Sequence, residues 1–292
     1  MQGKKVLIVG CGKIGGRVAK RLSSDFQVFG LRRRPQMSQD DIHYLAADVR
    51  EASSLEEVFS QVLTDGVDYL IYCLTPSQRT EQAYRDTYVT GLENTLTMLP
   101  NPKRLKRLIF VSSSSVYHQN DDSWIDEQSP CEPKQFSGKL IFEAEGLLRH
   151  SGIPSTIIRF SGIYGGSRRQ LINQVKQSAE SGAAILSKAL RRSNRIHEDD
   201  CVGFIEHLIR LNAQGSALEP LYLASDSEPV DLNEVIIWLA EHLGLTINTQ
   251  PSEQAKRRSG NKQCSNRRML DSAYQLHYPT FREGYQAMLR QT

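Results

Sequence analysis

The chain has 292 residues, 39% hydrophobic and 24% charged, with a formal net charge of +3. That is enough to bury a sizeable core in one large or two modest domains, and so slight a charge gives no ground for nucleic-acid binding. Its apolar runs are too short to span a bilayer, glycines interrupt the N-terminus before any signal-peptide core, and five scattered cysteines without a CxxC pair argue against disulfides or structural zinc. The expectation is a reduced, metal-free, cytoplasmic protein without membrane or nucleic-acid partners.

Residues 5–9 (KVLIV) form a continuous apolar run, as a strand buried on both faces requires. A glycine turn follows, after which Ile14, Val18 and Leu22 recur on one helical face. Further strands are expected at 26–31, 42–46, 67–74, 107–112 and 155–160, and helices at 53–63, roughly 80–99 and 139–150. Ser53 or Ser54 with Glu56 and Glu57 reads as a capping box, and Pro100 and Pro102 stop the helix before them. The alternation implies an α/β fold with a doubly wound parallel Rossmann sheet, assigned to residues 1–165. Residues 166–292 read as a smaller, mostly helical C-terminal substrate lobe, partly interleaved with the sheet. Its helices are expected at 168–180, at 199–212 with Asp199 as N-cap, and at 231–244 between a capping box at Asp231 and a stop at Gly244. A strand is expected at 220–224, and 250–268, polar and basic, reads as an exposed loop.

The turn VGCGKIGG sets Gly10, Gly12 and Gly15 in a G-x-G-x-x-G pattern between strand and helix, the dinucleotide-binding fingerprint. The first glycine allows the tight turn, the second a close approach of the pyrophosphate, and the third packing of helix on strand. Cys11, Lys13 and Ile14 complete this loop at the helix N-terminus, where amide groups attract phosphate. An acid that bonds the ribose 2′-hydroxyl normally ends the second strand. Here the sequence is Arg32, Arg33, Arg34. Guanidinium groups bind a 2′-phosphate that an acid would repel, so NADP is expected over NAD.

Further segments carry a family likeness. LAADVR (45–50), LIYCLTP (70–76), VSSSSVY (111–117), IIRFSGIYG (157–165) and RIHEDD (195–200) follow in the order of the extended short-chain dehydrogenase/reductase superfamily. The chain resembles its NAD(P)-dependent epimerase/dehydratase group nearly end to end. The resemblance implies that Asp48 and Val49 meet the adenine, and that Cys73, Leu74, Thr75 and Phe160 line the cofactor. It implies that Lys139 holds the nicotinamide ribose, Ser113 bonds the substrate oxygen and Tyr164 lies on a loop covering the nicotinamide. Ser114, Tyr117, Arg168 and Arg195 would border the substrate. RIHEDD resembles the family's FIHVDD, which opens a helix of the substrate lobe.

Three departures stand out. The active-site Tyr-x-x-x-Lys reads Gln135-x-x-x-Lys139, Tyr88 stands where the family keeps an asparagine, and the phosphate turn is GxGxxG rather than GxxGxxG. The combination resembles an atypical, YeeZ-like branch. Glutamine cannot transfer protons usefully near neutral pH, so Tyr117, Tyr164, Tyr88 and His197 are considered as stand-ins. Basic residues at 168–169, 191–195 and 256–268 suit either an anionic substrate or a solvated face. Three functions stay open: an NADP-dependent oxidoreductase or epimerase with a displaced acid, a catalytically silent NADP(H) sensor, and a scaffold without cofactor. A monomer or homodimer is expected.

Overall fold

The computed structural model describes residues 3–35, 41–253 and 260–290. The chain divides into two compact units. Unit 1 comprises Met1–Val116, Cys131–Arg159 and Val202–Tyr222, and unit 2 comprises Tyr117–Pro130, Phe160–Cys201 and Leu223–Thr292.

The framework of unit 1 is a seven-stranded sheet built from β1 (Lys5–Val9), β2 (Gln27–Arg32), β3 (Ile42–Ala46), β4 (Tyr69–Tyr72), β5 (Arg107–Ser113), β6 (Ser155–Phe160) and β7 (Leu221–Ala224). Its order is β7-β6-β5-β4-β1-β2-β3, so the winding reverses between β1 and β4, the switch point where such sheets bind ligands. β1 pairs in parallel with β2 and β4, as β4 does with β5. The apolar runs are as buried as a two-sided sheet requires: Val6 to Val9 and Tyr69 to Tyr72 have no exposure. Helix α1 (Lys13–Leu22) packs through Gly15, Val18, Ala19 and Leu22.

Two helices differ from expectation. α2 (Ala52–Val62) has Glu51 as N-cap and no side-chain cap bond. It begins before the serines, and Ser54 Oγ instead accepts the N–H of Asp48, so the expected capping box does not form. The long helix ahead of Pro100 is α3 (Glu81–Tyr84), a π-helical turn (Arg85–Thr90) and α4 (Gly91–Met98). The Tyr72 hydroxyl donates to the Thr87 carbonyl at 2.6 Å, satisfying an oxygen within the widened turn. The same turn carries Tyr88, whose buried ring lies near Tyr84 and Phe110.

α5 (Phe136–His150) is fixed by a buried charge network. Glu145, with no exposed surface, accepts from Arg159 Nε at 2.9 Å and Nη2 at 2.5 Å, from Ser112 Oγ at 2.6 Å and from Arg149 at 2.6 Å. α5 is thereby tied to β5 and β6.

Unit 2 is built on α6 (Gln170–Ser181), α8 (Leu232–His242) and α10 (Phe281–Arg290), which bury Ile172, Val175, Leu239, Phe281 and Met288 together. Asp231 caps α8 by accepting from the Asn233 N–H, and Gly244 takes a left-handed φ of 65° just past its end, as expected. α7 (Glu198–Ala213) starts one residue early, so Asp199 lies in its first turn, its N–H donated to His197 Nδ1. The segment expected as an exposed loop is partly interior. Asn261, Lys262 and Cys264 are buried, Gln263–Cys264 pairs with Trp124–Ile125, and Arg267–Asp271 is helical (α9). Gly260 permits this because any side chain there would strike the Gln119 carbonyl, and the Asn194 amide bridges the Lys262 carbonyl and the Cys264 N–H. The Lys256–Arg258 part of the basic stretch lies outside the described residues.

Two predictions follow from these buried charges. Glu145→Ala removes the carboxylate that pairs with the buried Arg159 guanidinium, and denaturant unfolding is expected to show a loss of ~3–5 kcal/mol, as removing one partner of a buried pair does; a loss under about 1 kcal/mol contradicts the network's role. Asp226 is 1% exposed, and burial pushes its carboxyl up to about 8. The folded state therefore holds a proton that the unfolded chain, titrating at about 4, has released. This contribution is full below about pH 4 and is lost as pH rises to about 8. The stability difference between wild type and Asp226→Asn should fall over that window by an amount on the order of a few kcal/mol; parallel pH profiles contradict the assignment.

Candidate functional site

The glycine turn of unit 1 distinguishes its three glycines by what surrounds them. A Cβ at Gly10, whose φ is 99°, would run into the Cys73 carbonyl across the switch point, and one at Gly15 into the Gly10 carbonyl. At Gly12 a Cβ would meet nothing within 4 Å. The first and third glycines are thus demanded by the fold, whereas the second leaves open space at the start of α1. Gly12 is the N-cap and offers no side-chain oxygen, and the first turn of α1 carries no acid. The helix's first N–H groups and the positive end of its dipole are left for an anion from outside the helix. A dinucleotide pyrophosphate fits this cradle. Cys11 is buried, its Sγ against Gly30, where a Cβ would come within 2.9 Å. Burial raises its thiol pKa despite a hydrogen bond from Tyr44 and the nearby Arg32 charge. Lys13 is exposed and Ile14 half-buried on the first turn.

Arg32 ends β2 half-buried and Arg33 is exposed, with no ion pair to either among the described residues. Asp48 is gripped by Arg50 at 2.6 Å, which holds its carboxyl below the usual range, with a smaller effect from Arg33. The Val49 side chain is buried against Gly91, and its carbonyl accepts from Asn94. Cys73 and Leu74 are half-buried and Thr75 exposed, just past β4.

Ser113 is the last residue of β5, and its Oγ accepts from the Ser115 N–H at 3.2 Å. Ser114 is half-buried in the following turn. Gln135 is the N-cap of α5, is exposed, and makes no side-chain cap bond. Its carbonyl accepts from the N–H of Lys139, itself exposed. Between them Gly138 is buried, and a Cβ there would sit 2.5 Å from the Ser115 carbonyl. The start of α5 therefore lies directly on the turn after Ser113. Gly138 and Glu145 are the positioning residues that sequence reasoning missed: both fall inside EPKQFSGKLIFEAE, but nothing local marks either as buried. Phe136 packs edge-on against Tyr84, with ring centroids 5.4 Å apart.

Unit 2 holds the remaining residues. Tyr117 is buried and donates to the Asp126 carbonyl, while its own carbonyl accepts from Lys262 Nζ at 3.4 Å. Phe160 is buried at the end of β6. Tyr164 is 5% exposed, its ring packed between His197 and Tyr285, its hydroxyl against Gly284 and without a hydrogen-bond partner. Burial raises its pKa well above the ordinary phenol value. Tyr164, Arg168, Arg191 and Arg195 line one cavity of unit 2. Arg168 is exposed on a loop held by Ser167, whose hydroxyl donates to Glu198. Arg195 is buried. Among the described residues no cluster of His, Cys, Asp and Glu could hold a metal ion, and no helix is long and apolar enough to cross a membrane.

Residues 10–190 match the profile of a family described as NAD(P)H-binding. No curated protein matches the chain. Among solved structures it is similar to a candidate NAD-dependent epimerase/dehydratase from Methylobacillus flagellatus, at 36% identity and a TM-score of 0.81, over 99% of this chain and 98% of that one. It also shares the fold of dTDP-glucose 4,6-dehydratase from Bacillus anthracis str. Ames in complex with NAD, at 16% identity, a TM-score of 0.77 and coverage of 99% and 96%. The UDP-glucose 4-epimerase from Thermus thermophilus, in complex with NAD, gives 16% identity and a TM-score of 0.74 over 98% of both chains. With its parallel sheet, its glycine turn and these matches, the chain belongs to the NAD(P)-binding epimerase/dehydratase group of the extended short-chain dehydrogenase/reductases.

Proposed function

We propose that the chain is an NADP(H)-dependent oxidoreductase of epimerase/dehydratase type acting on a small molecule. The observation that carries this is the open space at Gly12 beside an uncapped helix N-terminus. The fold relatives solved with NAD support a dinucleotide there. The preference for NADP rests on Arg32 and Arg33, which would pair with the 2′-phosphate.

A bound nicotinamide would supply hydride transfer. The chain's own residues would bind and orient. Lys139, exposed on the first turn of α5, would hold the ribose hydroxyls, and Ser113 would donate a hydrogen bond to the substrate oxygen. Gln135 can hydrogen-bond but does not exchange protons near neutral pH. Tyr164 is assigned as proton donor because it lines the unit 2 cavity and its buried hydroxyl has no hydrogen-bond partner; the burial that raises its pKa opposes this role until a ligand bonds to the hydroxyl. One observation favours a second reading. The Gln135 side chain is exposed and makes no cap bond at the family's acid position, which suits a cofactor-binding sensor without turnover.

Three experiments test this reading. In the Arg32→Ala/Arg33→Ala double variant, NADP+ affinity measured by calorimetry should fall about ten- to a hundredfold while NAD+ affinity changes little; equal losses for both cofactors sink the NADP assignment. Tyr164→Phe removes the proton but keeps the ring, and should lower NADPH-dependent carbonyl reduction about a hundredfold with cofactor affinity unchanged. Gln135→Tyr should create or raise that turnover; cofactor binding with no turnover in either wild type or Gln135→Tyr favours the sensor.

A further inference from the structure

We infer that Tyr72 is a positioning residue for Lys139: its hydroxyl holds the π-helical turn of residues 85–90, and that turn grips α5 on both sides of the lysine. The inference rests on the function proposed above only in taking Lys139 as a cofactor ligand.

The turn departs from a regular α-helix by one residue. The Gly91 N–H, which an α-helix would give to the Thr87 carbonyl, donates to the Asp86 carbonyl instead. The Thr87 carbonyl accepts from the Tyr72 hydroxyl at 2.6 Å. Tyr72 comes from β4 and has no exposed surface. Room for its hydroxyl is left by Gly91, where a Cβ would lie 2.7 Å from the oxygen. The Thr87 hydroxyl donates to the Ala83 carbonyl at 2.7 Å, a second side-chain bond to the backbone of this stretch. A buried hydroxyl and a carbonyl that satisfy each other are costly to separate, so Tyr72 favours the wide turn over a regular helix.

That one residue decides which way α3 faces. A helix turns about 100° per residue, so an extra residue rotates Tyr84 and Arg85 by roughly that much relative to α4. In this setting both reach α5. The Tyr84 ring meets Phe136 edge-on, with centroids 5.4 Å apart, and the Arg85 guanidinium donates two bonds to Glu143, at 2.9 and 3.3 Å. Phe136, Lys139 and Glu143 follow at i, i+3 and i+7 along one face of α5. The lysine therefore lies between the two contacts. The Arg85–Glu143 pair is exposed and adds little stability by itself. Together with the ring contact it fixes the rotation of α5 about its axis, and so the direction in which Lys139 leaves the helix.

The test compares amide hydrogen exchange and NADP+ affinity of the full chain in wild type, Tyr72→Phe, Lys139→Met and the double variant. Tyr72→Phe removes the hydroxyl and keeps the ring that stacks on Phe110. It should speed exchange about tenfold or more at residues 84–91 and 139–143 and leave the C-terminal end of α5 unchanged. It should weaken NADP+ about tenfold when Lys139 is present and hardly at all in the Lys139→Met background, because a positioning residue acts through the residue it positions. A merely structural tyrosine would weaken NADP+ equally in both backgrounds. That result, or unchanged exchange at 139–143, overturns the inference. Should Tyr72→Phe fail to fold, Tyr84→Leu, at a half-buried position, takes its place with the same expectations. If Lys139→Met alone leaves NADP+ affinity unchanged, the ribose role of Lys139 fails, and exchange at 139–143 still decides whether Tyr72 holds that part of α5.

Discussion

Unit 1 depends on the placement of one carboxylate. Glu145 is wholly buried on α5, where it is bonded by Ser112 from β5 and by Arg159 from β6. An ion pair of this kind adds little net stability over a well-packed apolar alternative, yet it tolerates only one arrangement of its partners. That geometric demand is its use here. The residue after Ser112 is Ser113, and Lys139 lies on the same helix as Glu145, so the contacts that satisfy the buried carboxylate also fix the two elements that carry the retained family residues. Gly138 completes the arrangement by letting α5 rest on the Ser115 carbonyl.

The cofactor face follows from a second steric rule. At Gly10 and Gly15 backbone approaches backbone too closely for any side chain, and at Gly12 nothing approaches at all. The same residue type thus closes the fold at two positions and opens a cradle at the third. The other departures from the family lie outside this turn. Gln135 removes the usual acid without disturbing the start of α5, and Tyr88 occupies a widened helical turn among other aromatic rings. Arg195 brings a buried charge to a position of an apolar motif. Ser113 and Lys139 keep the family's residue types, while Gln135 and Tyr88 do not.

What was legible in the sequence was local. Continuous apolar runs marked the strands, and fixed glycine spacing marked the turn, because both depend on neighbours along the chain. Asp231 and Gly244 marked the ends of α8 for the same reason. What escaped depends on tertiary contact. Ser53 and Ser54 had the spacing of a capping box, but the Ser54 hydroxyl was claimed by Asp48. Lys262 looked like part of a solvated basic stretch and is buried, since Gly260 lets the chain pass inside. Glu145 and Arg159 each read as an ordinary charge; only the fold brings them together. The π-helical turn likewise has no signature in RDTYVT (85–90), and its Thr87 carbonyl is satisfied by a tyrosine from β4.

The central claim is that unit 1 holds NADP with its 2′-phosphate on Arg32 and Arg33. Phosphorus NMR of NADP+ during titration with the protein tests it most directly, because the 2′-phosphate resonance reports its own ionisation. The account predicts saturable binding with the 2′-phosphate pKa lowered by the paired guanidinium groups. Absence of binding at millimolar NADP+, or binding that leaves the 2′-phosphate titration where it stands in free solution, would contradict it.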